Sequence, residues 1–323
     1  MKPDKENNQI IEPKNQLQLF GYKEYFNNFV ELFHQKKLPN TILLSGLKGS
    51  GKSTFAYHFI NFLLSYNEDN KYLINSFTIN QDNKSYKDLC NNIHPNFHLV
   101  ENNTNEEIIK IDSVKNILRF LNKTAYNSNI KIVLIDNAEF LNINSSNALL
   151  KSLEETKNNT FFFIIHNSSR KILDTIKSRC IEYKIFFNLE EKKSILSNII
   201  KQYDVDFNSD YFDDNFYLEG SGNILKFFMI ISDMKSEYSN KKLSCIYYLI
   251  EKFKKKKDSE VLNFIPLLVE IFYSELSLKN SQNLNIYFYN KFKILNLFNN
   301  VKKFNLDKNN FFITLKGILN NER

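Results

Sequence analysis

With 323 residues the chain has room for two or three domains and a sizeable apolar core. Its formal net charge of +7 is moderately basic, which suits a nucleic-acid partner without demanding one. Three cysteines, far apart and odd in number, argue against a disulfide framework and for a reducing compartment. The longest apolar clusters, 161–165 and 264–273, are too short to cross a bilayer. Residues 1–16 are polar, carry both signs of charge and lack the apolar run of a signal peptide. The expectation is a soluble, cytoplasmic chain with no membrane partner.

After that loose leader, residues 17–37 read as a helix, with Tyr25, Phe26, Phe29, Val30, Leu32 and Phe33 supplying a broad apolar stripe. Leu38-Pro39-Asn40 breaks it, and residues 41–45 read as a short buried strand. The strand runs into Gly46-Leu47-Lys48-Gly49-Ser50-Gly51-Lys52-Ser53-Thr54, which fits the phosphate-loop pattern G-x-x-x-x-G-K-[ST]. The chain has only seven glycines, and three of them fall here, so glycine stands where the backbone needs it. A loop poor in side chains lets successive N–H groups converge on a phosphate, and the start of the following helix favours an anion. Lys52 is expected to reach the outer phosphates and Ser53 to hold Mg²⁺, with Gly46, Gly49, Gly51 and Thr54 completing the cradle for ATP or ADP. Residues 52–66 continue at helical spacing through Phe55, Phe59, Phe62 and Leu63, so strand, loop and helix come in the required order.

Between 66 and 129 the pattern is less regular, with a short strand at 97–100 and a helix at 112–121. Residues 130–136 are a β-branched run ending in Asp136, the arrangement that delivers a carboxylate beside Mg²⁺; an ordinary buried strand ending in Asp is the plainer alternative. Ser145 or Ser146 is expected to cap a helix carrying Leu149, Leu150 and Leu153. A strand follows at 160–165, with Asn167 and Ser168 at its end. Alternating strands and helices, with the chemistry at the strands' carboxyl ends, predict an α/β fold on a parallel sheet. Past Phe187 helical patterns take over, at 190–202, 223–234, 243–257, 259–278, 285–297 and 310–319.

Three separated series converge on one family: Asp136-Asn137-Ala138-Glu139-Phe140-Leu141-Asn142, then 147–155 (Asn-Ala-Leu-Leu-Lys-Ser-Leu-Glu-Glu), then Thr175-Ile176-Lys177-Ser178-Arg179-Cys180. Together they resemble the AAA+ subunits of the bacterial clamp loader, most closely the delta-prime type of DNA polymerase III; Leu19-Phe20-Gly21-Tyr22 resembles that family's opening segment. The resemblance covers residues 17–187 well, weakens through 220–222, and past 235 rests on helical pattern alone. It implies an AAA+ phosphate-loop core at 1–187, a helical lid at 188–235 and a helical, oligomerising collar at 236–323. It also implies a hetero-pentamer with gamma/tau and delta subunits, a sliding clamp, and the backbone of primer-template DNA as partners, within a DNA-directed DNA polymerase holoenzyme.

Two departures bear on activity. ATP-hydrolysing members carry Glu after the strand-end Asp, where this chain has Asn137, an amide that cannot act as a base; Glu139, two positions on, is expected to point elsewhere. The motor subunits' G-x-x-R pattern reads Gly220-Ser221-Gly222-Asn223, without the cation. The resemblance therefore implies a ring stator that binds ATP or ADP with Mg²⁺ at Ser53 and Asp136 but turns it over weakly or not at all. It also implies that Arg179 reaches the ATP of a neighbouring subunit; a structural arginine paired with a nearby carboxylate is the bland alternative. A hydrolysing gamma/tau-type ATPase is the rival reading. Zinc is not expected, since Cys90, His94 and His98 do not make a four-ligand set. The basic run Lys252, Lys254, Lys255, Lys256 and Lys257 reads more simply as a solvated helix end than as a DNA contact.

Overall fold

Strand residues alternate between two apolar faces, and helices cover both. In the computed structural model, which describes residues 10–102, 108–125, 130–157, 159–203, 214–232, 242–256 and 259–320, five strands form one sheet. They are β1 (Thr41–Gly46), β2 (Phe97–Val100), β3 (Lys131–Ile135), β4 (Thr160–Asn167) and β5 (Ile181–Lys184), in the order β2-β3-β4-β1-β5. Every pairing is parallel. Parallel strands need crossovers, and these are α2 (Lys52–Leu64), α4 (Ile111–Asn122), α5 (Ile143–Glu154) and the short α6 (Asp174–Lys177), with α1 (Lys23–His34) before β1 and α3 (Lys84–Cys90) between α2 and β2. Ile42, Leu44, Ile132, Leu134, Phe161, Phe163 and Ile165 join Phe26, Phe29, Phe55, Phe59 and Phe62 from α1 and α2 on one face. Leu43, Val133, Ile135, Phe162 and Ile164 join Val114, Ile117, Leu149, Leu153 and Ile176 on the other. Such continuously apolar strands are what a sheet buried on both sides requires.

Several expectations change. The helix predicted over 17–37 is only Lys23–His34, because the residues before it are spent on strand-like pairing: Leu19 N–H donates to Phe77 O at 3.0 Å and Ile79 N–H to Leu17 O at 2.9 Å. The cap of α5 is neither Ser145 nor Ser146, which lie buried inside the helix, but Asn142, whose side chain accepts from Ser145 N–H at 2.8 Å. Ser145 instead donates its hydroxyl to Ile109 O at 2.8 Å. Replacing Asn142 with Ala should lower stability by about 1 kcal/mol in urea denaturation, with Asp or Ser retaining most of it. The single helix expected over 259–278 is two, Ser259–Leu262 and Ile265–Lys279, divided ahead of a proline in the first turn of the second. The strand at 181–184 and the helix at 84–90 were not foreseen.

The chain divides into two compact units: Met1–Ile199 with Glu219–Asn223, and Ile200–Leu218 with Ile224–Arg323. Two helices run from one unit into the other, α7 (Leu189–Tyr203) and α8 (Ser221–Ile231). The second unit is helical over its described residues, with Lys242–Lys256, Ser259–Leu262, Ile265–Lys279, Leu284–Phe304 and Lys308–Asn320. Ile246, Leu249, Ile250 and Phe253 are buried at helical spacing, as are Leu315 and Leu319, and Phe253 meets Phe312 edge-on at 5.6 Å. Among the described residues no helix is long and apolar enough to cross a membrane.

Candidate nucleotide site and a half-buried arginine

The loop from Gly46 to Ser53 leaves the carboxyl end of β1 and enters α2. Gly49 and Gly51 both take positive φ, +78° and +92°, which side chains rarely allow. Five successive loop carbonyls find donors, two of them from Lys52 of the loop itself. Lys52 Nζ donates to Gly46 O at 3.0 Å and Leu47 O at 2.6 Å. Asn223 Nδ2 donates to Lys48 O at 3.2 Å, Gly222 N–H to Gly49 O at 2.8 Å, and the Tyr22 hydroxyl to Ser50 O at 3.0 Å. The approach at 220 is so close that a Cβ there would lie 2.4 Å from Lys48 O, which explains the glycine. The N–H groups of Gly49, Gly51, Lys52 and Ser53 meet no backbone acceptor among the described residues. That is the geometry of an anion nest at a helix start.

Across the sheet edge, Ser53 Oγ donates to Asp136 Oδ2 at 2.9 Å, so the two expected magnesium ligands stand together. A serine hydroxyl and a carboxylate are hard oxygen donors, which suits Mg²⁺ with its retained waters. Burial pushes the Lys52 ammonium down to about 8, against the pull of Asp136 and Glu139. Burial likewise raises the Asp136 carboxyl, opposed by Ser53, the Asn137 N–H and Lys52. Asn137 sits at φ 58°, its N–H on Asp136 Oδ1 at 2.9 Å and its amide Nδ2 donating to Asn102 Oδ1 at 3.4 Å. Glu139 accepts from Asn167 N–H at 3.1 Å, which brings it to the end of β4, and its charge reaches both Lys52 and Asp136. Sequence reasoning set this residue aside; its distance from the loop in sequence hid a neighbourhood that the β3–β4 pairing creates.

Arg179 lies at the opposite edge. Its carbonyl accepts from Thr41 Oγ1 at 2.7 Å, at the amino end of β1. The five residue steps from Thr41 to Gly46 put about 17 Å of strand between Arg179 and the chain's own loop. Its guanidinium pairs with Glu154, Nε donating to Oε1 at 2.6 Å and Nη2 to the same oxygen, while Nη1 donates to Thr175 O at 3.0 Å.

The remaining candidates are engaged separately. Cys90 Sγ donates to Lys14 O at 3.6 Å, His94 bonds Ser85 Oγ at 3.3 Å, and His98 stacks on Phe120 at 5.4 Å. Among the described residues no three His, Cys, Asp or Glu side chains are grouped to hold a metal ion. Lys252 donates to Ile230 O at 2.5 Å, and Lys254 lies 3.9 Å from Glu251. Cys180 packs partly against the sheet, and burial pushes its thiol up to about 12.

Comparison with known proteins now decides the lineage. A family model described as DNA polymerase III, delta subunit, matches residues 21–187, just over half of the chain. The chain belongs to this family. Among curated relatives, the delta-prime subunit of DNA polymerase III from Pseudomonas aeruginosa is 39% identical over 89 residues, covering 28% of this chain and 27% of that one. Delta-prime from Buchnera aphidicola subsp. Schizaphis graminum is 28% identical over 174 residues, covering 52% and 49%. The gamma/tau subunit of Mycoplasma genitalium is 29% identical over 200 residues, covering 59% and 30%. The chain therefore spans about half the length, or less, of these relatives. A gamma subunit-related protein from Thermotoga maritima superimposes with a TM-score of 0.42 at 17% identity, covering 90% of this chain and 97% of that one. This member of the DNA polymerase III delta family is similar to delta-prime subunits, and it has the α/β core on a parallel sheet that was expected.

Proposed function

We propose that the chain is a ring stator: it braces a hetero-pentamer with gamma/tau and delta subunits that loads a sliding clamp on primed DNA, and it lends Arg179 to a neighbouring ATPase. The observation that carries this is the placement of Arg179 at the amino edge of the sheet, about 17 Å from its own loop. From there it can serve only a nucleotide held by another molecule. Asn137 in the base position and Asn223 turned onto the loop backbone support weak intrinsic turnover. In this reading residues 1–187 are the AAA+ core, 188–235 a lid and 236–323 a collar, in a cytoplasmic complex that touches DNA through its phosphate backbone. The test is the order of two effects in a reconstituted assembly: Arg179→Ala should cost more ATP turnover than Lys52→Ala, and the reverse order would overturn the reading.

The chain's own loop would hold ATP or ADP through the N–H groups of Gly49, Gly51, Lys52, Ser53 and Thr54, with Ser53 and Asp136 holding Mg²⁺. Bound nucleotide would supply a fixed multivalent anion that completes the charge of this dry corner. Lys52 attracts phosphate only when protonated. With its pKa lowered to about 8, affinity should be full below that value and fall by up to about tenfold per unit as pH rises through it. Fluorescence titration of the isolated chain with labelled ADP across pH 7–10 checks this; a flat profile would mean that Lys52 does not face the phosphates. The rival, a hydrolysing gamma/tau-type motor, draws on one observation, the ready-made Ser53–Asp136 pair.

A further inference from the structure

Glu154 ends α5 at the same sheet edge as Arg179, and nothing in the loop chemistry uses it. We infer that Glu154 is a positioning residue for Arg179, holding its guanidinium in the rotamer from which it meets a neighbour's phosphate. The inference rests on the reading of Arg179 as an arginine acting between subunits. A guanidinium carries five N–H groups in a rigid fork. Here Nε and Nη2 both donate to Glu154 Oε1, and Nη1 donates to Thr175 O. Nη1 also donates to Ser178 Oγ at 3.4 Å, so four of the five N–H groups are held and one N–H of Nη2 is left for another acceptor. The backbone is held as well, since Thr41 Oγ1 binds the Arg179 carbonyl and Arg179 N–H donates to Ile176 O. Glu154 remains 51% exposed, and an ion pair that wet contributes little to stability. Its use is to remove rotamer freedom from a long side chain before assembly, so that less is lost when the phosphate is met.

The test is ATP turnover by an assembly reconstituted with its ATPase subunits, clamp and primed DNA, using Arg179→Ala, Glu154→Ala, Glu154→Asp and the Arg179→Ala/Glu154→Ala double variant. Glu154→Ala should lower kcat about tenfold, as loss of an orienting partner does, with KM for ATP within about twofold. Glu154→Asp should recover part of the loss. The double variant should be no slower than Arg179→Ala alone, because Glu154 acts only through Arg179. An unchanged or raised kcat in Glu154→Ala, or a loss of the same size on top of Arg179→Ala, would overturn the positioning role while leaving the arginine's own role intact. A silent Arg179→Ala would remove both.

Discussion

Replacing Arg179 with Ala should slow ATP turnover by the assembled ring about a thousandfold while leaving the isolated chain folded. The size follows from what an arginine does in phosphoryl transfer, where it meets charge as it develops and contributes 10³ or more. The specificity of the effect follows from location: the side chain is anchored at the amino end of β1, away from its own loop, so the loss must appear in a neighbour's chemistry. The bland alternative, a structural arginine, has its partner in Glu154, and the two readings separate cleanly. A purely structural pair at this exposure would cost at most about 1 kcal/mol in denaturation and leave the assembly's kcat unchanged. Arg179→Lys should rescue little, because a lysine cannot keep one edge on Glu154 and offer another. Turnover of the variant assembly measured under saturating ATP, beside denaturation of the free subunit, decides the matter.

Lys52→Ala should weaken nucleotide binding by the isolated chain at least about a hundredfold, close to 2.7 kcal/mol. The ammonium is in direct contact with the loop backbone, and a charge-assisted bond to phosphate in a dry site is among the stronger polar contacts. Its Nζ lies on Gly46 O and Leu47 O, inside the loop that the pattern forms. Calorimetric titration with ADP and Mg²⁺ measures the change, with the melting temperature as a control for folding. Binding that survives the substitution would place the nucleotide elsewhere. Turnover by the isolated native chain that disappears in the variant would move this subunit among the motors.

The core of the fold was legible because its signals are local. A short buried strand, a glycine loop and an apolar helix follow one another within 41–66, and each element constrains only its own backbone. The same holds for Lys52 and Ser53, whose proposed roles rest on a spacing of a few residues. What escaped was set by partners distant in sequence. Residues 17–19 look helical by periodicity, yet their backbone bonds go to 77–79, about sixty residues away in sequence. The sequence β5, Ile-Glu-Tyr-Lys, is too short to announce itself and exists as a strand through its register with β1. Ser145 and Ser146 look like caps by residue type, but Asn142 reaches the free N–H first.

The division at the site has the same cause. By itself the sequence determined that a loop of the G-x-x-x-x-G-K-[ST] pattern precedes a helix, that an Asp ends a buried strand, that the amide of Asn137 follows it, and that the chain carries the series Ser178-Arg179-Cys180. Those are statements about residue type and short spacing, and side-chain chemistry does not depend on the fold. Only the tertiary structure decided that Ser53 meets Asp136, that Glu139 comes to the end of β4, and that Gly222 and Asn223 bond the carbonyls of Gly49 and Lys48. It also decided that Arg179 stands a strand's length from the loop, against Glu154. These depend on which strands pair and in what register, and a parallel sheet assembled through crossovers fixes that only when the whole core has closed.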